Sequence, residues 1–147
     1  MKIDAESIQA IFSDQREYPK LRNNIKLSDR TYFAPSTSWL TETYHPWYRA
    51  TLRAMGLGEW KENFDCDDFS LGYHWLANVC HAQTEYGNTQ GPAIGEVSYY
   101  IAGNGRRPHA INCAFIDEGR LVFIEPQQPV IIKLTPVEKA SISFVRF

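Results

Sequence analysis

The C-terminal third of the chain constrains the fold most, because it holds five short apolar segments at close spacing. They read EVSYYIAG, HAINCAFI, RLVFIEPQ, VIIKLT and ISFVRF, and the breaks between them are NGRRP, DEG, QQP and PVEKA. β-Branched and aromatic residues are frequent in the segments, whereas Gly, Pro, Asp and Asn recur in the breaks. The pattern predicts an antiparallel β-sheet.

The N-terminal part carries helical periodicity instead. Residues 4–13 are expected to form a short amphipathic helix that Asp4 can cap. A second helix is expected with Pro46 in its first turn and its end at Gly56 or Gly58. The residues expected to face inward from this second helix are Trp47, Ala50, Leu52 and Met55. YGNTQGP, residues 86–92, ends the helical region, so helices precede the sheet and the order indicates an α+β fold.

Size and charge restrict the classes of function. The chain has 147 residues, with 44% apolar and 22% charged, which suits a single domain over residues 1–147. Net charge is −2 and no Lys/Arg run occurs, so we expect no nucleic-acid partner. We also expect no membrane partner, because no apolar stretch reaches 18 residues, and a cytoplasmic location, because no signal peptide is apparent.

Three cysteines, Cys66, Cys80 and Cys113, lack the CxxC spacing of zinc ribbons, and their odd number argues against a disulfide framework. A metal site drawn from Cys66, Asp67, Asp68 and His74 lacks paired ligand spacing. We therefore expect neither a metal nor an organic cofactor.

The segment NFDCDDFSLGYHWL places Cys66 at the start of the strongest predicted helix, residues 66–82. Apolar side chains recur there at helical spacing, and Asp67 and Asp68 favour its first turn. Cys66 is then either a buried thiol or a nucleophile at a helix N-terminus, where free N–H groups stabilise a thiolate. Cys80 and Cys113 lie on apolar faces and are expected in the core.

A nucleophilic thiol needs a base and an orienting polar group. His45 is expected at the surface, and His74 and His81 lie more than two turns along the helix from Cys66. His109 remains, because it opens the strand HAINCAFI.

Which residue orients His109 depends on the conformation of one turn. If Asp117-Glu118-Gly119 is a three-residue hairpin loop, Ile116 pairs with Arg120, and Glu125 lies within diagonal reach of His109. A two-residue loop would turn Glu125 to the other face. Gln127, opposite His109 in the three-residue register, is a second candidate for this role.

DCDDFSLGYHWLANV followed by HAINCAFIDEGRLVFIEP resembles the transglutaminase-like branch of the papain-like superfamily, especially its bacterial cysteine peptidase group. The resemblance covers residues 60–127. It implies a papain-like fold with the nucleophile helix packed on a C-terminal antiparallel sheet. It also implies Cys66 as nucleophile, His109 as base and Glu125 as orienting acid. Ser70 and Glu125 depart from the usual Ala and Asp.

The resemblance further implies an oxyanion donor upstream of the cysteine, for which Trp60 and Asn63 are candidates beside the backbone N–H of Cys66. The expected activity is that of a thiol-dependent amide hydrolase or acyl transferase, with a peptide or another amide-bearing molecule as substrate. The alternative is a non-catalytic peptide- or glycan-binding module on the same fold.

Overall fold

A computed structural model describes residues 1–85, 89–103 and 107–147. A six-stranded sheet organises the chain in the order β2-β8-β4-β5-β6-β7. Its strands are β2 (Ile25–Lys26), β4 (Ile94–Tyr100), β5 (Pro108–Ile116), β6 (Arg120–Glu125), β7 (Val130–Ile132) and β8 (Phe144–Arg146). A separate antiparallel pair joins β1 (Lys2–Asp4) to β3 (Thr31–Phe33).

The α-helices are α1 (Ala5–Phe12), α2 (His45–Ala54), α3 (Cys66–Thr84) and α4 (Pro136–Lys139), and a π-helical segment, Trp39–Tyr44, leads into α2. Within the described residues no helix has the length and apolar character needed to cross a membrane. The predicted breaks at residues 86–92 and 104–108 fall partly outside the described residues.

The five predicted C-terminal strands pair antiparallel as expected, but the sheet has a sixth strand that was not predicted. Strand β2 comes from the N-terminal region and pairs in parallel with β8 at the edge of the sheet. Local sequence patterns cannot predict this strand pair, because β2 has only two residues and depends on a partner far away in the sequence.

The hairpin that governs the predicted site is confirmed. Ile116 pairs with Arg120, which leaves Asp117-Glu118-Gly119 as a three-residue connection. Gly119 has φ 73°, the left-handed conformation that glycine adopts without a steric cost. Its N–H donates to the carbonyl of Ile116 at 2.9 Å and closes the turn.

Apolar side chains fill both faces of the six-stranded sheet. Phe12, Phe115 and Phe147 pack on the face that α1 covers. Phe69 and Tyr73 of α3 pack with the π-helical segment and α2 on the other face. The sheet is therefore buried on both sides.

Helix α2 buries only part of the predicted stripe, since Leu52 is buried and Trp47 is partly buried. His45, Tyr48 and Leu52 are buried, whereas Ala50 and Met55 are exposed. The helix begins at His45 with Pro46 in its first turn, as predicted, and its buried positions follow an i, i+3, i+7 pattern from His45. The expectation that His45 lies at the surface is therefore wrong.

Candidate functional site

The N-terminus of α3 is fixed by its own sequence. Asp65 precedes the helix with an extended backbone, and its side chain accepts the N–H of Asp67 at 3.3 Å. The Asp68 carboxylate accepts the N–H of Asp65 at 3.2 Å in return. This reciprocal capping box begins the helix at Cys66, as the sequence predicts.

Two side chains then join α3 to β5 directly behind Cys66. Ser70 is buried, and its hydroxyl donates to the carbonyl of Ile111 at 2.8 Å. The side-chain amide of Asn112 donates to the carbonyls of Ser70 at 3.0 Å and Gly95 at 3.1 Å. Buried bonds of this kind hold the first turns of α3 against the strand that carries His109. Asn112 was not predicted as a site residue, because its only signal is a polar residue within an apolar strand.

Cys66 and His109 line one cleft of about 490 Å³, here called the α3 cleft. Its other polar lining residues include Asp65, Asp67, Ser98 and Tyr100. Helix α3 contributes one wall, and β4 and β5 contribute the other. Cys66 is half-buried, whereas Cys80 and Cys113 are buried in the two cores as expected.

His109 is oriented by a carboxylate. Its Nε2 lies 2.8 Å from Glu125 Oε2, and the other oxygen of Glu125 accepts the backbone N–H of Gln127 at 3.1 Å. The ring of Tyr99 packs at 60° against the imidazole, with 5.8 Å between ring centroids. The contact predicted between His109 and Glu125 is therefore present, and Gln127 contributes its backbone rather than its side chain.

The electrostatics of the cleft keep the Cys66 thiol protonated. Burial raises the pKa of Cys66, and the negative charges of Asp65 and Asp67 raise it further, while the backbone of Ala110 acts in the opposite direction. Hydrogen bonding to Asp65 likewise raises the pKa of Asp67. Within the described residues no hydrogen bond joins Cys66 to His109.

The remaining predicted site residues lie elsewhere. Trp60 is 57% exposed, and Asn63 is exposed in a tight turn closed by reciprocal backbone bonds between Lys61 and Phe64. Neither residue lines the α3 cleft. Gln127 lines a separate cavity beside α2.

Ligand atoms of Asp65, Cys66 and Asp67 lie within 4.8 Å of one another, but exposed acidic groups are often found together without an ion. Asp68 serves as part of the helix cap, and His74 Nδ1 lies 2.9 Å from Glu96 Oε1. Asp68 and His74 were possible metal ligands from the sequence, but each makes another contact in the structure.

Comparison with known proteins gives structural neighbours but no family. No protein-family model and no curated protein matches the chain. The PSL1a–E64 complex matches with a TM-score of 0.68 and 20% identity over 99% of this chain and 51% of that chain. Polyporus squamosus lectin bound to the human-type influenza-binding epitope Neu5Aca2-6Galb1-4GlcNAc matches with a TM-score of 0.66 and 20% identity. That match covers 99% of this chain and 49% of the lectin chain.

The chain thus spans about half the length of these structures and shares its fold with that half. The assignment to the transglutaminase-like branch is wrong, because one of the similar structures is a lectin bound to a saccharide. The same finding shows that the predicted papain-like fold class is wrong. The predicted hydrolase and thiol-protease functions are wrong for the same reason. The resemblance rested on short motifs over half the chain, and Ser70, one of its departures, is explained locally by its bond to Ile111.

Proposed function

We propose that the chain is a non-catalytic glycan-binding domain and that the α3 cleft holds the saccharide. The observation that carries the proposal is the lining of this cleft. Asp65 and Asp67 offer carboxylate oxygens to sugar hydroxyls, and Tyr100, which is 39% exposed, offers an aromatic face to the apolar side of a pyranose ring. A concave site with a few convergent polar groups is typical of small-ligand binding.

Two further observations support this proposal. The lectin of similar fold is bound to a saccharide. The raised pKa of Cys66 keeps the thiol neutral at pH 7, which suits a group that contacts a ligand better than a group that attacks one.

The test is an NMR titration of the ¹⁵N-labelled chain with Neu5Aca2-6Galb1-4GlcNAc, the saccharide of the lectin complex, and with Galb1-4GlcNAc. We expect saturable shifts at Ser98, Tyr100 and His109 with at least one of them. Tyr100→Ala and Asp67→Asn should each weaken binding about tenfold, the effect of losing one good contact. Asp117→Asn, an equal charge change on the β5–β6 turn, is the matched control and should bind normally. Absence of shifts in the cleft with both saccharides would contradict the proposal.

A second candidate function is thiol-dependent acyl transfer in the same cleft, and the specific observation in its favour is the His109–Glu125 pair beside Cys66. In that reaction the Cys66 sulfur bonds to a carbonyl carbon while its proton passes to His109, which returns it to the departing group. Cys66, His109 and Glu125 would be nucleophile, base and orienting acid. The backbone N–H of Cys66, or Trp60 or Asn63 after a rearrangement, would stabilise the oxyanion.

Thiol labelling separates the two functions. Under acyl transfer, Cys66 should react with iodoacetamide at pH 7 faster than an unstructured cysteine, and His109→Gln should slow it by about tenfold or more. Under glycan binding alone, Cys66 should react more slowly than an unstructured cysteine, and His109→Gln should have little effect. Intact-mass measurement after incubation with E64, the compound in the PSL1a complex, adds a check with Cys66→Ala as control.

A further inference from the structure

A second cavity, of about 270 Å³, lies between α2 and the segment that follows β6. Arg49 and Arg53 line it from the helix, and Gln127 and Gln128 line it from the other side. We call it the α2 cavity. It shares no lining residue with the α3 cleft, so it is a separate place for a ligand.

The two arginines of the α2 cavity are not neutralised by the protein. They are four residues apart on α2, a spacing at which like charges face each other and destabilise a helix. Across residues 1–85, 89–103 and 107–147, no carboxylate forms an ion pair with either of them. Arg16, Arg120 and Arg146 do pair, with Asp14, Glu118 and Glu96 respectively.

Arg49 and Arg53 are exposed and line the cavity. A side chain at Gly58 would meet Arg53 Cγ at 3.1 Å, so the glycine leaves room for the stem of the arginine. Burial lowers the pKa of His45, and the charge of Arg49 lowers it further. The backbone N–H of Gln127 is fixed by Glu125. The side-chain amides of Gln127 and Gln128 make no hydrogen bond to a described residue and can donate to a ligand.

We propose that the α2 cavity binds a single oxyanion group, a carboxylate or a sulfate, through Arg49 and Arg53 with the amides of Gln127 and Gln128. Guanidinium groups present paired N–H donors that match the oxygens of such anions. The volume is at the lower end for ligand pockets, which suits one small acidic group. This inference is independent of whether the α3 cleft binds a saccharide.

The test is a titration of the ¹⁵N-labelled chain with sodium sulfate, sodium acetate and sodium chloride at one constant ionic strength. NMR signals of the Arg49 and Arg53 Nε–H groups and of the Gln127 and Gln128 side-chain amides report on the cavity. We expect saturable shifts with sulfate or acetate and none with chloride. The stronger of the two anions identifies the ligand as a sulfate or a carboxylate.

Substitutions of Arg49 and Arg53 test whether these two residues bind the anion in the α2 cavity. Arg49→Gln and Arg53→Gln should each weaken anion binding at least fivefold, and Arg49→Lys should weaken it less because it keeps the charge but loses the paired donors. Arg30→Gln, an equal charge change on the exposed surface, should bind like the natural chain. Linear shifts that are equal for all three salts would overturn the proposal. Unchanged binding by both Arg49 variants would overturn it too, and if Arg49→Gln does not fold, Arg49→Lys and Arg53→Gln decide.

Discussion

Whether a histidine is buried depends on residues that lie far away in the sequence. His45 is 4% exposed, and its Nε2 lies 2.8 Å from the hydroxyl of Tyr73 on α3. His81 is equally buried among aromatic rings, and burial lowers its pKa. Polar neighbours in the sequence suggest a surface position for His45, but the packing of α2 on α3 determines where it lies.

His45 should make the protein sensitive to acid. Burial lowers its pKa from 6.5 to about 4, so it is neutral in the folded state and also in the unfolded state above pH 6.5. As the pH falls from 6.5 to 4, only the unfolded chain takes up the proton, and folding stability is lost by up to about 3 kcal/mol.

Urea unfolding measured from pH 7 to 4.5 checks this expectation. His45→Gln should reduce the loss of unfolding free energy over that range, because glutamine has no group that titrates there. His74→Gln, which changes a half-buried histidine on α3, serves as the comparison. An acid sensitivity in His45→Gln equal to that of the natural chain would contradict the assignment to His45.

At the scale of secondary-structure elements, the features predicted correctly are those that depend on residues close together in the sequence. The start of α3 at Cys66 and the turn at Gly119 follow from a cap and from one residue with a positive φ. The contact between His109 and Glu125 follows from that turn. Strands β1 and β2 were not predicted, because each has only two or three residues and forms by pairing with a distant partner.

Two substitutions of Asp65, the residue that caps α3, should separate its effect on stability from its effect on the Cys66 thiol. Asp65→Ala removes the side chain that accepts the N–H of Asp67 and should cost about 1 kcal/mol of unfolding free energy. Asp65→Asn keeps a good capping group but removes a negative charge beside Cys66, so stability should change little while the pKa of Cys66 falls.

Thermal unfolding together with the pH dependence of iodoacetamide labelling at Cys66 measures both effects. The second capping residue, Asp68, remains in place in both variants. If Asp65→Asn leaves the pKa of Cys66 unchanged, the charge of Asp65 does not act on the thiol.

Two glycines provide a matched test of backbone conformation. At Gly72, within α3, an added Cβ would meet nothing within 4 Å, so Gly72→Ala should stabilise the protein by about 0.5–1 kcal/mol. Gly119 has equally open surroundings but φ 73°, so Gly119→Ala should destabilise it by about 1–2 kcal/mol. Chemical denaturation of both variants gives the comparison, and a change of the same sign in both would contradict it.

At the scale of the whole molecule, the two candidate binding sites differ in how far their residues could be found from sequence. The α3 cleft combines a helix start with a strand start, and both carry local signals around Cys66 and His109. The α2 cavity brings Arg49 and Arg53 close to Gln127 and Gln128, because α2 lies beside the segment that follows β6. No spacing rule connects those residues, so only the folded chain reveals this site.

Phe147 should matter for the stability of the whole molecule. Phe147 is 2% exposed, and its ring packs against Phe12 of α1, Tyr32 of β3 and Phe115 of β5. Its backbone N–H also donates to the carbonyl of Lys26 at 2.9 Å, which extends the parallel pairing of β2 and β8. One side chain therefore connects the N-terminal region to the centre of the sheet.

Phe147→Ala should lower the free energy of unfolding by about 3–5 kcal/mol, because it removes a buried ring and leaves a cavity. Since the lost contacts reach α1 and β3, hydrogen exchange should accelerate there as well as at β8. Val137→Ala, at a side chain that is 69% exposed, should change stability by no more than about 0.5 kcal/mol. Urea unfolding and amide exchange measure both variants. Faster exchange confined to β8 would mean that the N-terminal region is held without Phe147.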